Sequence, residues 1–169
     1  VSYDRLDEES FLQWPVPTFD HPGTPYLHRG KFSRGRGHFS AIHFKEAAEL
    51  PDEEYPLILT TGRMMFHFHT GTMTRRTEEL EQEAPEPYVE IHPDDAEQIG
   101  LDGSDRARVT SRRGEIEVVA KVTPTIRPGV VFIPFHYAEG AANALTNAAL
   151  DPIAKIPEYK VCAVRVEPV

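Results

Sequence analysis

Pro56-Leu57-Ile58-Leu59-Thr60-Thr61-Gly62-Arg63 runs without a break into Met64-Met65-Phe66-His67-Phe68-His69-Thr70-Gly71-Thr72-Met73-Thr74-Arg75-Arg76. The first half is a short apolar run stopped by glycine, the length and composition of a buried strand. The second half concentrates hydroxyls, imidazoles, guanidiniums and glycine. Glycine lets backbone amides approach an anion closely, and threonine hydroxyls and arginine forks donate to phosphate oxygens. A strand emptying into such a segment suits a phosphate-bearing ligand at the strand's end. The candidate residues there are Thr61, Gly62, Arg63, His67, His69, Thr70, Gly71 and Thr72. A solvated, capped loop has much the same composition, so the residues alone leave both readings open. A zinc site would enlist His67 and His69, which share a face if extended, together with His136. No cysteine or carboxylate completes that set.

Working outward, the chain breaks into short pieces, because 15 prolines and 11 glycines are spread along it. Strands are expected at Tyr88–Ile91, Arg106–Ser111, Glu115–Val122, Val130–Phe135 and Tyr159–Val166. Arg106–Ser111 and Glu115–Val122 alternate with period 2, and Arg112-Arg113-Gly114 between them reads as an exposed hairpin tip. His92–Gly100 reads as the one short helix: Pro93 suits its first turn, Asp94 and Asp95 its positive end, and Gly100 its stop. Short strands, tight turns and little helix predict a mainly β chain with short helices, closed into a small barrel. Residues 1–54 differ. They hold Trp14-Pro15-Val16-Pro17, His21-Pro22-Gly23 and the basic stretch Arg29 to Arg36, and they read as a loop-rich upstream arm to a compact domain at 55–169. The opening Val1-Ser2-Tyr3-Asp4, with no methionine before it, reads as part of a longer protein.

Composition sets further bounds. The 169 residues carry 18 Lys and Arg against 27 Asp and Glu, a net charge of −9, which argues against general nucleic-acid binding. No apolar run approaches the roughly 18–20 residues of a membrane span. The single cysteine, Cys162, excludes an internal disulfide and a cluster-binding motif within these residues. No nucleophile–base pair, paired-carboxylate signature or Walker loop is legible.

A second candidate constellation is Phe135-His136-Tyr137-Ala138-Glu139-Gly140-Ala141-Ala142-Asn143, which follows a strand. Asn143 offers a donor and an acceptor to a base or pterin edge. The same pattern also suits a short helical turn packed on the barrel. Tyr159-Lys160, ahead of the last strand, could hold an anion under a ring, or Lys160 could simply be solvated.

Taken in order, Leu59–Arg63, His67–Thr74, Ala120–Pro134, Ala141-Ala142-Asn143 and Pro157–Val166 resemble the C-terminal cofactor-binding domain of molybdopterin oxidoreductases, and within it the formate dehydrogenase alpha (catalytic) subunit. Leu12-Gln13-Trp14-Pro15 and His21–Pro25 resemble the segment just upstream in that subunit. The resemblance implies a six-stranded double-psi β-barrel closing over bis(molybdopterin guanine dinucleotide) with molybdenum or tungsten. Arg63 sits where relatives place an arginine beside the cofactor, and His67 matches a histidine of the same loop. His69 stands where a relative has serine, Met64 replaces an acidic residue of one branch, Phe135 replaces tyrosine and His136 replaces glutamine. Asn143, Tyr159 and Lys160 match directly: Tyr159 and Lys160 are expected at pterin or phosphate groups, Asn143 at a guanine or pterin edge. The metal ligand, the formate-handling residues and the cluster cysteines belong to earlier domains in that family. The resemblance therefore implies no catalytic or metal-binding residue here and no turnover by this stretch alone. It implies the remaining domains of the same subunit and iron–sulfur subunits as partners; a cytoplasmic location is a separate expectation. The same domain of a nitrate reductase or other molybdopterin enzyme, or a free-standing double-psi barrel adaptor, are the competing readings.

Overall fold

The computed structural model describes every residue except Ser104. The chain divides into two compact units, Val1–Phe44 and Lys45–Val169.

In the first unit, a helix forms where only loop was expected: α1 (Tyr3–Glu9). Ser2 caps it by accepting the Arg5 N–H at 3.2 Å, and Asp4 sits in its positive first turn. Arg5 also donates to the carbonyls of Phe19 and His21, and Thr24 donates to that of Pro15 at 2.6 Å. The basic stretch follows as an exposed turn closed by two backbone bonds between Phe32 and Gly35.

The second unit is a closed barrel. Its strands are β1 (Leu57–Gly62), β2 (Tyr88–Ile91), β3 (Arg106–Thr110), β4 (Glu115–Val122), β5 (Val130–Pro134) and β6 (Cys162–Pro168). They close in the order β1-β5-β2-β4-β3-β6. The pairs β1–β5 and β2–β4 are parallel and the other four antiparallel. Alternation drives closure: in β4, Ile116, Val118 and Ala120 point inward while Glu115, Glu117 and Lys121 face out. Leu59, Val89, Ile91, Val109, Val131, Ile133 and Val164 fill the interior with no measurable exposure. Removing such apolar surface from water is the main stabilising term.

The expected helix forms as α3 (Pro93–Ile99), with the His92 ring accepting the Asp94 N–H at 3.2 Å and Gly100 ending it. Another helix, α2 (Glu78–Glu83), is additional to the expectation, as are the 3-10 turns Thr74–Arg76 and Ala142–Ala144. The sequence of α2 has a single apolar residue, Leu80, so no periodicity announces it. The last strand starts at Cys162 rather than Tyr159, because Tyr159 and Lys160 are engaged with Thr61 instead of a ladder.

Residues 45–54 group with the barrel. Glu49 accepts from Arg113 at 2.9 Å and from the Ala163 N–H at 2.6 Å, and Asp52 pairs with Arg112. The Arg112-Arg113 tip is thus a tether, not a free hairpin end. The Arg112 guanidinium also covers the Tyr55 ring at 4.6 Å, and Arg113 donates to the Leu145 carbonyl at 2.9 Å. No helix among the described residues is long and apolar enough to cross a membrane.

Candidate functional site

The parallel pairing of β1 with β5 sets Gly62 opposite Pro134, so residues 63–76 and 135–147 leave the barrel at one end. β6 runs antiparallel to β1 with Cys162 opposite Leu59, which brings 159–161 to the same end. Side chains lock this meeting. The buried Thr61 hydroxyl donates to the Tyr159 carbonyl at 2.7 Å, and the Lys160 ammonium donates to the Thr61 carbonyl. Asn147 donates to the Val161 carbonyl at 2.8 Å, and Glu158 N–H to the Ala149 carbonyl at 3.0 Å, so the segment after Asn143 lies against 158–161.

The residues expected from sequence fall into two groups. Arg63, His69, Thr70, Thr72, Asn143, Tyr159 and Lys160 are exposed. Arg63 Nη2 stands 3.3 Å from His69 Nδ1, and its guanidinium lies 5.7 Å from the Phe68 ring centre. His69 has φ 51°, the left-handed region that a residue with a side chain seldom enters. Lys160 Nζ lies 6.0 Å from the Tyr159 ring centre. Asn143 occupies the 3-10 turn Ala142–Ala144, the helical turn that its pattern also allowed.

Thr61, Gly62, His67, Gly71 and His136 are buried, and Phe135 half-buried against the His136 ring at 4.9 Å. Gly71 (φ 72°) turns the chain where its amide donates to the Phe68 carbonyl at 3.0 Å. His67, 3% exposed, donates from Nε2 to the Ala84 carbonyl at 2.8 Å. Its Nδ1 lies 3.2 Å from the Thr74 hydroxyl, which also accepts the Phe68 N–H at 3.1 Å. His136, also 3% exposed, accepts the Met64 N–H on Nε2 at 3.0 Å and donates from Nδ1 to the His69 carbonyl. Neither ring has a nitrogen left for a ligand. Burial holds the His136 ring below the usual histidine range, with His67 and Arg63 adding to the effect.

Sequence reasoning missed Tyr137 and Arg75. Tyr137 is fully buried with its hydroxyl 2.9 Å from the Ala84 carbonyl and 3.0 Å from Met64 Sδ, and burial pushes its pKa up to about 12. Arg75 covers that ring at 5.0 Å while pairing with Glu81 at 2.9 Å and Glu139 at 2.9 Å. Their partners include the Ala84 carbonyl and the Glu139 carboxylate, both distant in the chain, which no local pattern marks.

Electrostatically the end is uneven. Arg75, Arg108, Arg112, Arg113, Lys121 and Arg165 are each paired with a carboxylate, whereas Arg63 and Lys160, like Arg76, Arg106 and Arg127, are paired with none among the described residues. Two uncompensated cations beside hydroxyls and an aromatic ring can take an anionic, ring-bearing ligand. Among the described residues no group of three His, Cys, Asp or Glu side chains is placed to hold a metal ion. Cys162 is buried, which pushes its thiol up to about 11 and makes it a poor thiolate at neutral pH.

Residues 57–163 match the family described as Molydopterin dinucleotide binding domain. The chain is 53% identical, over 99% of its length, to F420-dependent formate dehydrogenase 1 subunit alpha of Methanococcus maripaludis, of which it covers 25%. It is 50% identical over 99% of its length to F420-dependent formate dehydrogenase subunit alpha of Methanocaldococcus jannaschii, again covering 25%. Periplasmic nitrate reductase of Desulfovibrio desulfuricans is 39% identical over 98% of the chain, which covers 24% of it. The chain thus spans about a quarter of the length of the curated relatives it matches. Among solved structures, acetylene hydratase from Pelobacter acetylenicus superposes with a TM-score of 0.60 at 18% identity, over 68% of this chain and 18% of that one, a likeness of fold.

Proposed function

The chain belongs to the Molydopterin dinucleotide binding domain family, and from that membership we propose that it is the C-terminal cofactor-binding domain of a formate dehydrogenase. In this reading the barrel end formed by 61–72, 135–143 and 159–160 seats bis(molybdopterin guanine dinucleotide) carrying molybdenum or tungsten. The observation that carries the reading is two exposed cations at one barrel end, Lys160 bonded to the Thr61 carbonyl and Arg63 directly after Gly62, neither paired with a carboxylate among the described residues. The donor set fits such a group. Arg63 and Lys160 answer its phosphates, Thr70 and Thr72 offer hydroxyls, Tyr159 offers a ring face, and Asn143 can pair with a heterocycle edge.

When bound, the cofactor supplies the two-electron redox chemistry that turns formate into carbon dioxide. This chain's residues bind and orient it. His67 and His136 hold the loop that carries Arg63, and the barrel supplies a rigid base. The metal ligand and the residues that handle formate come, in this reading, from other parts of the same subunit, so this stretch alone has no turnover. Iron–sulfur electron-transfer subunits and a cytoplasmic location complete the proposal. Identity supports formate over nitrate, at 53% and 50% against 39%.

The test is turnover by the full-length protein with its cofactor loaded, formate and nitrate being supplied in separate assays. Formate oxidation without nitrate reduction is expected. Nitrate reduction without formate oxidation overturns the assignment.

A further inference from the structure

His136 lies between the exit of β5 and the loop that carries Arg63. Its ring touches both ends of that loop, accepting the Met64 N–H at 3.0 Å and donating to the His69 carbonyl. These bonds require one nitrogen with a proton and one without, so they specify a neutral ring in a single tautomer. At the His69 end the backbone is left-handed, with φ 51°, a conformation that persists where surrounding bonds hold it. The His69 ring in turn lies 3.3 Å from Arg63 Nη2. A line of direct contacts therefore runs from the His136 ring, through the His69 backbone, to the Arg63 guanidinium.

We propose that His136 is a positioning residue whose neutral ring clasps the two ends of the Met64–His69 loop and thereby sets where Arg63 stands at the barrel end. The proposal rests on reading that end as the dinucleotide's seat. The clasp has a built-in acid limit. Protonating Nε2 would turn the acceptor facing the Met64 N–H into a second donor. The His69 carbonyl favours the protonated ring, but burial outweighs it. His67 and Tyr137 have ring centres at 5.7 and 6.2 Å, Arg63 lies in the loop itself, and Arg75 stands beyond Tyr137 with its charge met by Glu81 and Glu139. Because the folded ring titrates below the free histidine value of about 6.5, the clasp is complete above that pH and is lost as pH falls through the lower folded value.

The test uses the full-length protein and three variants, His136→Leu, His136→Gln and Arg63→Ala. Deuterium exchange of the Met64–His69 segment is measured in the cofactor-free protein as pH is lowered stepwise from about 7.5, and dinucleotide content per polypeptide in the loaded one. A glutamine amide keeps one donor and one acceptor but does not titrate. His136→Leu is expected to speed exchange in the segment on the order of tenfold and to lower dinucleotide content. His136→Gln is expected to keep native protection and content near pH 7.5, and to keep its protection on acidification further than the native protein does. Native exchange and content in His136→Leu overturn the proposal. So does a His136→Gln protein that behaves like the leucine variant, or one that loses protection at the same pH as the native protein. Should the leucine variant not fold, the glutamine and pH arms decide. Arg63→Ala separates the two claims: unchanged dinucleotide content there removes the seat, while exchange in the Met64–His69 segment still reports the clasp.

Discussion

Lys160 reaches the carbonyl of Thr61, and the Thr61 hydroxyl reaches the carbonyl of Tyr159, so one buried threonine fixes the Lys160 side chain and the Tyr159 backbone. Arg63 follows immediately with its charge unmet by any carboxylate among the described residues. Charge-assisted hydrogen bonds of this kind contribute about 1.5–3 kcal/mol each. Arg63→Ala and Lys160→Ala in the full-length protein are therefore each expected to weaken retention of the dinucleotide by about that much. Pterin and metal content after gel filtration measures this, and content unchanged in both variants would remove these residues from the site. Both residues stand out in the sequence because charged groups next to glycine, threonine and tyrosine at a strand end have a chemical meaning wherever they stand. How the histidines are held does not. Whether His67 and His136 face a ligand or the interior depends on the carbonyl of Ala84 and the amide of Met64. Backbone groups of distant residues carry no sequence signature, so scaffold histidines read as donors.

The elements around the site owe their positions to a few close approaches and pairs. Gly140 is buried after β5, and a methyl group there would meet Pro87 Cβ at 2.6 Å and Val118 Cγ1 at 2.8 Å. Val118 is in the core and Pro87 leads into β2, so neither has room to yield. Gly140→Ala is expected to cost about 1–3 kcal/mol through overpacking, read as a lower thermal midpoint. An unchanged midpoint would mean the turn can lift off the barrel freely. The hairpin tip provides a second case. Arg113 and the Ala163 N–H hold the Glu49 carboxyl below the usual carboxylate range, the arginine contributing most. A carboxyl depressed in this way stabilises the fold above its unfolded value of about 4.5, and that contribution disappears as pH falls through the lower folded value. Acidification is thus expected to release residues 45–54 to proteases, and Arg113→Ala to do so already at neutral pH. Equal cleavage of native and variant protein would contradict the tether. Strand existence was legible from alternation and glycine punctuation. The tether and α2 were not, because an Arg-Arg-Gly turn looks solvated until a distant glutamate meets it, and Glu78–Glu83 has no apolar stripe.

At the scale of the whole molecule, the parallel β1–β5 pair and the antiparallel β1–β6 pair bring the candidate residues to one end. Were β1 and β5 antiparallel, their following loops would leave from opposite ends, and Arg63 could not share a surface with the 135–143 segment. Strand pattern alone predicts a small β-barrel but not which strands run parallel. That part of the fold was legible only through the order of several weak motifs taken together, which is how the double-psi arrangement came into view. This chain spans about a quarter of the length of its relatives. The most direct measurement is an experimental structure of the full-length protein with its dinucleotide bound. The expected result places phosphate oxygens of the dinucleotide within hydrogen-bonding distance of Arg63 and Lys160, with Thr61 still bridging Tyr159 and Lys160 beneath. A dinucleotide seated elsewhere, with both cations in solvent or paired with carboxylates of another domain, would contradict it.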